Sequence, residues 1–277
     1  MFFDFFTAQK NVDISESINR AFEVVKQYPD NDETYFKNNI HRYKFTLGKF
    51  LESTKQGKIL DIGCHYLHQA MLFSFLGFEV WGLDVSEFVR KENIQKRAKL
   101  TKVRFIEANN LGKPNGLNYF KDNAFDNILF AEILEHITFN PISLWKEMYR
   151  VLRPGGKIIL TTPNYYYLPS LIKKFARTLT LSGGYMSVEE IFSNVTFGHH
   201  WKEYSVREIK KYFTLLSKDF SVSKIKLYNP SGFPVLSCKR AIYFLFSLFI
   251  RSLQKNIYAE ILLKDKSFGI GLKMPEY

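Results

Sequence analysis

Two constellations in this 277-residue chain have residue types and spacings suited to chemistry. The first is Lys58-Ile-Leu-Asp-Ile-Gly63, answered about twenty residues later by Glu79-Val-Trp-Gly-Leu-Asp84. A short apolar run ending in glycine reads as a buried strand entering a tight turn, where the missing Cβ lets the backbone approach a ligand. A second apolar strand ending in an acid offers a carboxylate that can accept two hydrogen bonds from a ribose diol. The second constellation is Glu132-Ile-Leu-Glu135-His136. If a helix starts there, positions i, i+3 and i+4 share one face, and two carboxylates with an imidazole suit Mg²⁺, Mn²⁺ or Fe²⁺. A further ligand is then expected, and Phe197-Gly-His199-His200-Trp-Lys-Glu203-Tyr204 supplies candidates. Each feature also has a plain alternative: Glu135 as a helix N-terminal charge, and His136 as a packed histidine or a general base acting without metal.

These residues need a scaffold that presents strand ends. From Lys58 to about Pro163 apolar runs and helical periodicity alternate. Strands are expected near 58–62, 79–83, 103–107, 126–131 and 157–161, and helices near 66–76, 86–98 and 141–151. That alternation is a doubly wound, Rossmann-like α/β core. Arg153-Pro-Gly-Gly156 reads as a turn before the fifth strand. Residues 1–57 read as a helical N-terminal cap on a domain spanning 58–277. The irregular stretch 164–203 reads as a lid, followed by a helix near 205–216. Apolar runs near 220–228 and 257–264 suit an antiparallel hairpin closing the sheet, with a helical insert at 239–254 between them.

The turn after the first strand discriminates between ligands. A dinucleotide site needs G-x-G-x-x-G so that a helix N-terminus meets a pyrophosphate. Here the turn is Gly63-Cys-His-Tyr-Leu-His68, with one glycine. S-adenosylmethionine (SAM) has no pyrophosphate and tolerates that loss better. Leu60-Asp-Ile-Gly-Cys64, Gly82-Leu-Asp-Val-Ser86, Phe125-Asp126, Glu132-Ile-Leu-Glu-His136, Val151-Leu-Arg-Pro-Gly-Gly156 and Thr162-Pro-Asn164 together, in order, resemble the class I SAM-dependent methyltransferases over roughly residues 40–230. The resemblance implies that Gly63 and Cys64 lie beside the methionine part of SAM. It also implies that Asp84 binds the ribose hydroxyls, that Asn109 contacts adenine, and that Asp61 orients the turn or the amino group. Many relatives carry G-x-G where this chain has Gly63, His65 and Leu67, so side chains at 65 and 67 are expected to crowd the site. Methyltransferases of bacterial surface-polysaccharide clusters keep part of the glycine pattern and carry a His near position 68, which implies that His68 lines the turn.

The same clusters have an H-x-x-E-Y element that aligns with His200. An E-x-x-E-H motif with a distant histidine also resembles the metal site of small-RNA terminal 2′-O-methyltransferases. The resemblance therefore implies methyl transfer to oxygen, with Glu132, Glu135, His136 and His200 holding a divalent cation. A bound ion lowers the pKa of a hydroxyl and fixes it in line. His136, Glu132 and His200 are the expected catalytic residues. The expected acceptor is a sugar hydroxyl on a nucleotide sugar, polysaccharide or glycolipid precursor. RNA ribose methylation and a non-catalytic SAM-binding or partner-binding subunit are the rivals.

Composition sets outer bounds. Hydrophobic residues make up 46% of the chain, ample for a core, and two cysteines, Cys64 and Cys238, give neither a disulfide framework nor a zinc pattern. The N-terminus lacks the features of a signal peptide, so a cytoplasmic location is expected. The net charge is +12, and residues 151–277 hold 19 Lys or Arg against 8 Asp or Glu, an excess of +11. Such a surface suits phosphorylated substrates, nucleic acid or an anionic membrane. The apolar run 241–250 is too short to cross a bilayer, which needs roughly 20 residues. Its basic flanks suit peripheral membrane contact or a homodimer through 239–254.

Overall fold

The computed structural model describes residues 2–180, 191–192, 198–230 and 253–275, those before residue 13 by backbone alone. Two helices, α1 (Phe2–Gln27) and α2 (Glu33–Phe50), precede the first strand. Then come β1 (Lys58–Ile62), α3 (His68–Phe75), β2 (Glu79–Asp84), α4 (Ser86–Val89), α5 (Glu92–Thr101), β3 (Arg104–Glu107) and β4 (Phe125–Ala131). The chain continues through a 3₁₀ turn (Leu134–His136), α6 (Ile142–Val151), β5 (Leu152–Pro163), α7 (Leu168–Leu179), α8 (Val206–Leu216), β6 (Phe220–Tyr228) and β7 (Asn256–Leu263). The expected insert 239–254 lies outside the described residues except for its last two, and so does much of the expected lid.

The seven strands form one sheet in the order β3-β2-β1-β4-β5-β7-β6. β1 to β5 pair in parallel, and β7 runs antiparallel to both β5 and β6. Helices cover the parallel strands on both faces, which is why Ile59-Leu-Asp-Ile62 and Ile158-Ile-Leu160 are nearly continuous apolar runs. The chain reverses its direction of sheet growth between β1 and β4. A crevice for ligands therefore opens beyond their carboxyl ends. Among the described residues, no helix is long and apolar enough to cross a membrane.

Three local expectations need correction. The helix expected at 86–98 is two helices, because Lys91 is extended (φ −67°, ψ 122°) and caps α5. Arg153–Gly156 is not a turn ahead of the strand but lies within β5. There Leu152 pairs with Phe125 and Lys157 already pairs with Asn127, so the extra residues bulge outward around Gly155 at φ +76°. No helix starts at Glu132, whose φ of +57° turns the chain before the short 3₁₀ turn.

A buried polar hub holds α1 and α2 on the core. Asp32, the N-cap residue of α2, accepts hydrogen bonds from both Arg97 Nη atoms on α5 (2.6 and 2.8 Å) and pairs with His68 Nε2 on α3 (2.6 Å). Arg97 also donates to the Tyr28 carbonyl just past α1 (2.7 Å), and His68 Nδ1 lies 3.0 Å from the Tyr43 hydroxyl on α2. Burial alone raises the Asp32 pKa, yet the Arg97 and His68 hydrogen bonds hold it far below the usual carboxylate range. Removing one member of a buried ionic network leaves the others uncompensated, so Asp32→Ala should destabilise the fold by about 3–5 kcal/mol. Urea unfolding measures this, and an unchanged midpoint with unchanged slope contradicts it.

Candidate active site

The crevice contains an open cavity of about 690 Å³, within the usual range for small-molecule sites. One wall is the β1 turn from Asp61 to Gln69, and a second is α2 through Tyr35, Asn39, Arg42 and Tyr43. A third wall is the segment from Ala131 to Ile137 after β4, with His200 beside it. The residues expected at the methyl donor and those expected at the acceptor thus share one cavity.

The turn keeps a glycine-type backbone with fewer glycines. Gly63 has φ +73°, its N–H donates to the Leu83 carbonyl (2.8 Å), and an added Cβ would collide with the Ile133 side chain. His65 (φ 52°) and Leu67 (φ 66°) adopt the left-handed conformation as well, although neither is glycine. Such strain is held only when surrounding contacts enforce it. Leu67 does not crowd the cavity, because its side chain is fully buried in the core on the α3 side. His65 does line it, with its ring 4.0 Å from that of Tyr66 and 4.1 Å from that of Phe88. Burial pushes the His65 imidazole down to about 3, so it is neutral.

The acids sit where expected but are engaged differently. Asp84 Oδ2 accepts from the His65 amide (2.5 Å) and Oδ1 from the Val85 amide (2.8 Å), so the ribose-type carboxylate also braces the altered turn. Burial pushes its carboxyl up to about 6 even against those hydrogen bonds. Asp61 is buried at the cavity, and burial, reinforced by Asp84, pushes it up to about 8. Cys64 packs its thiol against Gly82, and burial raises its pKa well above the ordinary value. Asn109 does not line the cavity. Its side chain accepts from the Ser86 amide (3.0 Å) and donates to Glu107 (2.5 Å). His68 lines the cavity, but both ring nitrogens are committed to Asp32 and Tyr43.

At the other end, Glu135, His136 and His200 offer three donor atoms within 4.8 Å of one another. Glu135 is fully buried. Its Oε2 accepts from Thr162 Oγ1 (3.0 Å), while Oε1 has no hydrogen-bond partner and lies 3.9 Å from His136 Nε2. His136 Nδ1 donates to the His199 carbonyl (2.9 Å), which leaves the Nε2 lone pair facing this group. A ring N–H anchored on a backbone carbonyl is the usual support for a metal-binding or basic imidazole. Burial, then the neighbouring His200, lowers the His136 pKa, and burial together with Glu132 raises that of Glu135 well above its ordinary value. The His200 and His136 rings are 4.8 Å apart, whereas the His199 ring turns to Trp201. The backbone fixes His200. The Trp201 amide donates to the Glu135 carbonyl (2.7 Å), the Tyr165 amide to the Tyr204 carbonyl (3.0 Å), and a Ser205–Glu208 capping box starts α8 directly after.

Glu132 stands apart from this trio. Its carboxylate accepts from Asn256 Nδ2 (3.0 and 3.1 Å) and pairs with Arg42 (3.5 Å). Sequence reasoning missed the α2 wall. Tyr35, Asn39 and Arg42 recur at i, i+4 and i+7, a polar stripe of the kind normally read as a solvent face. The available signal was the arginine set between the buried positions Phe36 and Tyr43 of that helix.

The cavity suits SAM. A glycine without Cβ faces it, and buried carboxyls with raised pKa values suit a ligand carrying sulfonium and ammonium charges. Residues 60–160 match the family model described as a methyltransferase domain. A demethylmenaquinone methyltransferase from Listeria welshimeri is 28% identical over 231 residues, covering 78% of this chain and 92% of that protein. Another of that name, from Anoxybacillus flavithermus, is 30% identical over 152 residues, 52% of this chain and 61% of that one. Among solved structures, a SAM-dependent methyltransferase from Methanosarcina mazei superposes with a TM-score of 0.51 at 19% identity, covering 78% of this chain and 97% of that one. A chain of the Haloferax volcanii complex between the Trm112 methyltransferase activator and a methyltransferase gives 0.58 at 13%, covering 87% and 97%. The match makes residues 60–160 a methyltransferase domain, the fold is that of the class I methyltransferases, and SAM is the cofactor of that family.

The raised Asp61 pKa has a pH signature. Its carboxyl ionises near 3.8 when unfolded and near 8 when folded, so the cost to stability is absent below the first value, builds between the two and is constant above the second. Asp61→Asn removes that cost. It should raise the melting temperature of the SAM-free protein by roughly 2–8 °C at alkaline pH, less at mildly acidic pH, and weaken SAM binding. Equal gains at both pH values would exclude ionisation of Asp61 as the cause.

Proposed function

We propose that the chain transfers the methyl group of SAM to a hydroxyl of a sugar acceptor, assisted by a divalent cation. The observation that carries this reading is the Glu135–His136–His200 trio on the wall of the same cavity as Gly63 and Asp84. Two imidazole nitrogens and one carboxylate oxygen suit Mn²⁺, Fe²⁺ or Mg²⁺, and the unpartnered Glu135 Oε1 is the group such an ion would ionise and satisfy. When bound, the ion supplies Lewis acidity that lowers the pKa of an acceptor hydroxyl.

The residues themselves divide the remaining work. With His136 Nε2 spent on a cation, the hydroxyl proton leaves to solvent water as the acceptor oxygen bonds to the methyl carbon and the carbon–sulfur bond breaks; without a cation His136 Nε2, whose pKa burial depresses, takes that proton itself. Gly63 and the left-handed turn give the donor a close backbone surface, and Asp61 balances its positive charge. Glu132 enters as the partner of Arg42 and, after burial, as the second cause of the raised Glu135 pKa. Exposed Tyr165, Tyr166 and Trp201 next to the His200 segment offer faces on which a sugar can stack.

A second reading has its own support. The named relatives act on demethylmenaquinone, and Leu111, Ile133, Ile137, Phe139 and Leu144 give this cavity an apolar side suited to a quinone-type ring. Methyl-labelled SAM offered with nucleotide sugars, glycans, RNA and quinols separates the readings by which pool takes up label. For the leading one, His136→Ala should reduce turnover by about 10²–10⁴-fold while SAM affinity stays within a few-fold. EDTA should abolish transfer and Mn²⁺ or Mg²⁺ restore it. Full activity in EDTA removes the cation, and loss of SAM affinity alone in His136→Ala removes the base.

A further inference from the structure

Among the described residues, three that line the cavity carry a buried side-chain atom without a hydrogen-bond partner: Glu135 Oε1, Arg42 Nε and Gln69 Oε1. Glu135 belongs to the trio. The other two are a donor on α2 and an acceptor on α3 that no contact within the fold satisfies. Arg42 is 8% exposed, with Nη1 3.5 Å from the Glu132 carboxylate and Nη2 3.4 Å from the Tyr35 hydroxyl, so Nε is a donor left over. Burial alone would lower the Arg42 pKa, yet Glu132 more than offsets this and the guanidinium stays charged. Asp61, Asp84, Glu87, Glu132 and Glu135 all line the same cavity, whereas Arg42 is the one lysine or arginine among its described lining residues. Its charge acts on Asp61, His65 and His68, which puts it within reach of the turn that carries Gly63.

We propose that Arg42 and Gln69 form a subsite for the zwitterionic amino-acid end of SAM, Arg42 receiving the carboxylate through Nε and Gln69 Oε1 receiving the ammonium together with Asp61. The charges on the two sides decide the assignment. SAM carries two positive groups, the sulfonium and the ammonium, and one negative group, the carboxylate. A cavity lined by five acids offers the positive groups several partners, but it offers the carboxylate one fixed cation. A buried donor and a buried acceptor each carry a desolvation cost until a ligand pairs with them, and a carboxylate and an ammonium are the groups that do so with charge assistance. Glutamine carbonyls accept, and an ammonium has three protons to give, so Gln69 and Asp61 can share it. Glu132 keeps its pairing with Nη1, so Nε is free for the ligand without breaking that contact. Arg42 lies ahead of the matched stretch 60–160, and the N-terminal helix α2 thereby supplies a recognition element that the methyltransferase domain itself does not contain. The inference is independent of which acceptor takes the methyl group.

Calorimetric titration of the full chain tests it with three ligands: SAM, decarboxylated SAM, which keeps the sulfonium and the amine, and methylthioadenosine, which has neither charge nor amino-acid end. The parent should bind SAM roughly 10–100-fold more tightly than decarboxylated SAM, the range expected for hydrogen bonds to a charged group. Arg42→Met should abolish most of that preference, weakening SAM by about the same factor and decarboxylated SAM by no more than about threefold. Gln69→Leu should weaken SAM and decarboxylated SAM alike, by about 3–10-fold, and leave methylthioadenosine within about twofold. The comparison of ligands on the parent needs no variant, so a poorly folded Arg42→Met still leaves a decisive reading. Equal affinity of the parent for SAM and decarboxylated SAM overturns the proposal. So does an Arg42→Met loss that is the same for both ligands, which would assign Arg42 to holding Glu132 alone. A Gln69→Leu loss that extends equally to methylthioadenosine overturns the ammonium half.

Discussion

The geometry of the cavity rests on one buried carboxylate. Asp32 is fully sequestered from water, a position that an isolated charge cannot hold without large cost. It is held because Arg97 reaches it from α5 and His68 from α3, and because Arg97 spends its remaining donors on the carbonyls of Tyr28 and Tyr66. The end of α1, the start of α2, the start of α3, the β1 turn and α5 therefore meet at one point. The register of α2 follows from that junction, and with it the aim of Tyr35, Asn39 and Arg42 into the cavity. The second N-terminal helix is thus a wall of the cavity.

That wall explains the altered turn. A glycine-rich turn reaches left-handed φ without strain, whereas His65 and Leu67 reach it at a cost of roughly 1–2 kcal/mol each. Two contacts offset the cost. Leu67 is buried in the core shared with the N-terminal helices, and the His65 amide is gripped by Asp84. Arg97 also accepts the turn as a neighbour, donating to the Tyr66 carbonyl (3.3 Å). The left-handed shape of the turn is therefore specified by packing here rather than by residue permissiveness.

This division decides what was legible in the sequence. Strands buried on both faces carry their own signature, so Lys58–Ile62, Phe125–Ala131 and Asn256–Leu263 could be read from local composition. The acids at strand ends could be read from residue type and order, whereas Glu135, His136 and His200 were expected together only with Glu132 added and His200 chosen by family resemblance. What depends on distant partners could not. The break before α5, the bulge around Gly155 and the positive φ of Glu132 are set by neighbouring strands and loops, not by local periodicity. Glu132 looked equivalent to Glu135 at the spacing of a helical turn. The 3₁₀ turn instead places Glu135 beside His136, while Asn256, more than a hundred residues away, takes Glu132.

The electrostatics of the cavity give the two ends distinct tasks. Asp61, Asp84 and Glu135 are all raised above the usual carboxylate range by burial, and the cationic Arg42 is largely engaged by Glu132. At the Asp61 and Asp84 end the nearest polar groups are backbone amides and an imidazole already neutralised by burial, so compensation must come from a positive ligand, as the sulfonium cofactor is. At the Glu135 end the acid faces the lone pair of His136 Nε2 at 3.9 Å, too far for the hydrogen bond that would share a proton between them. The Glu135 carboxyl and the His136 and His200 rings thus converge at this end, with Glu135 Oε1 left unpartnered.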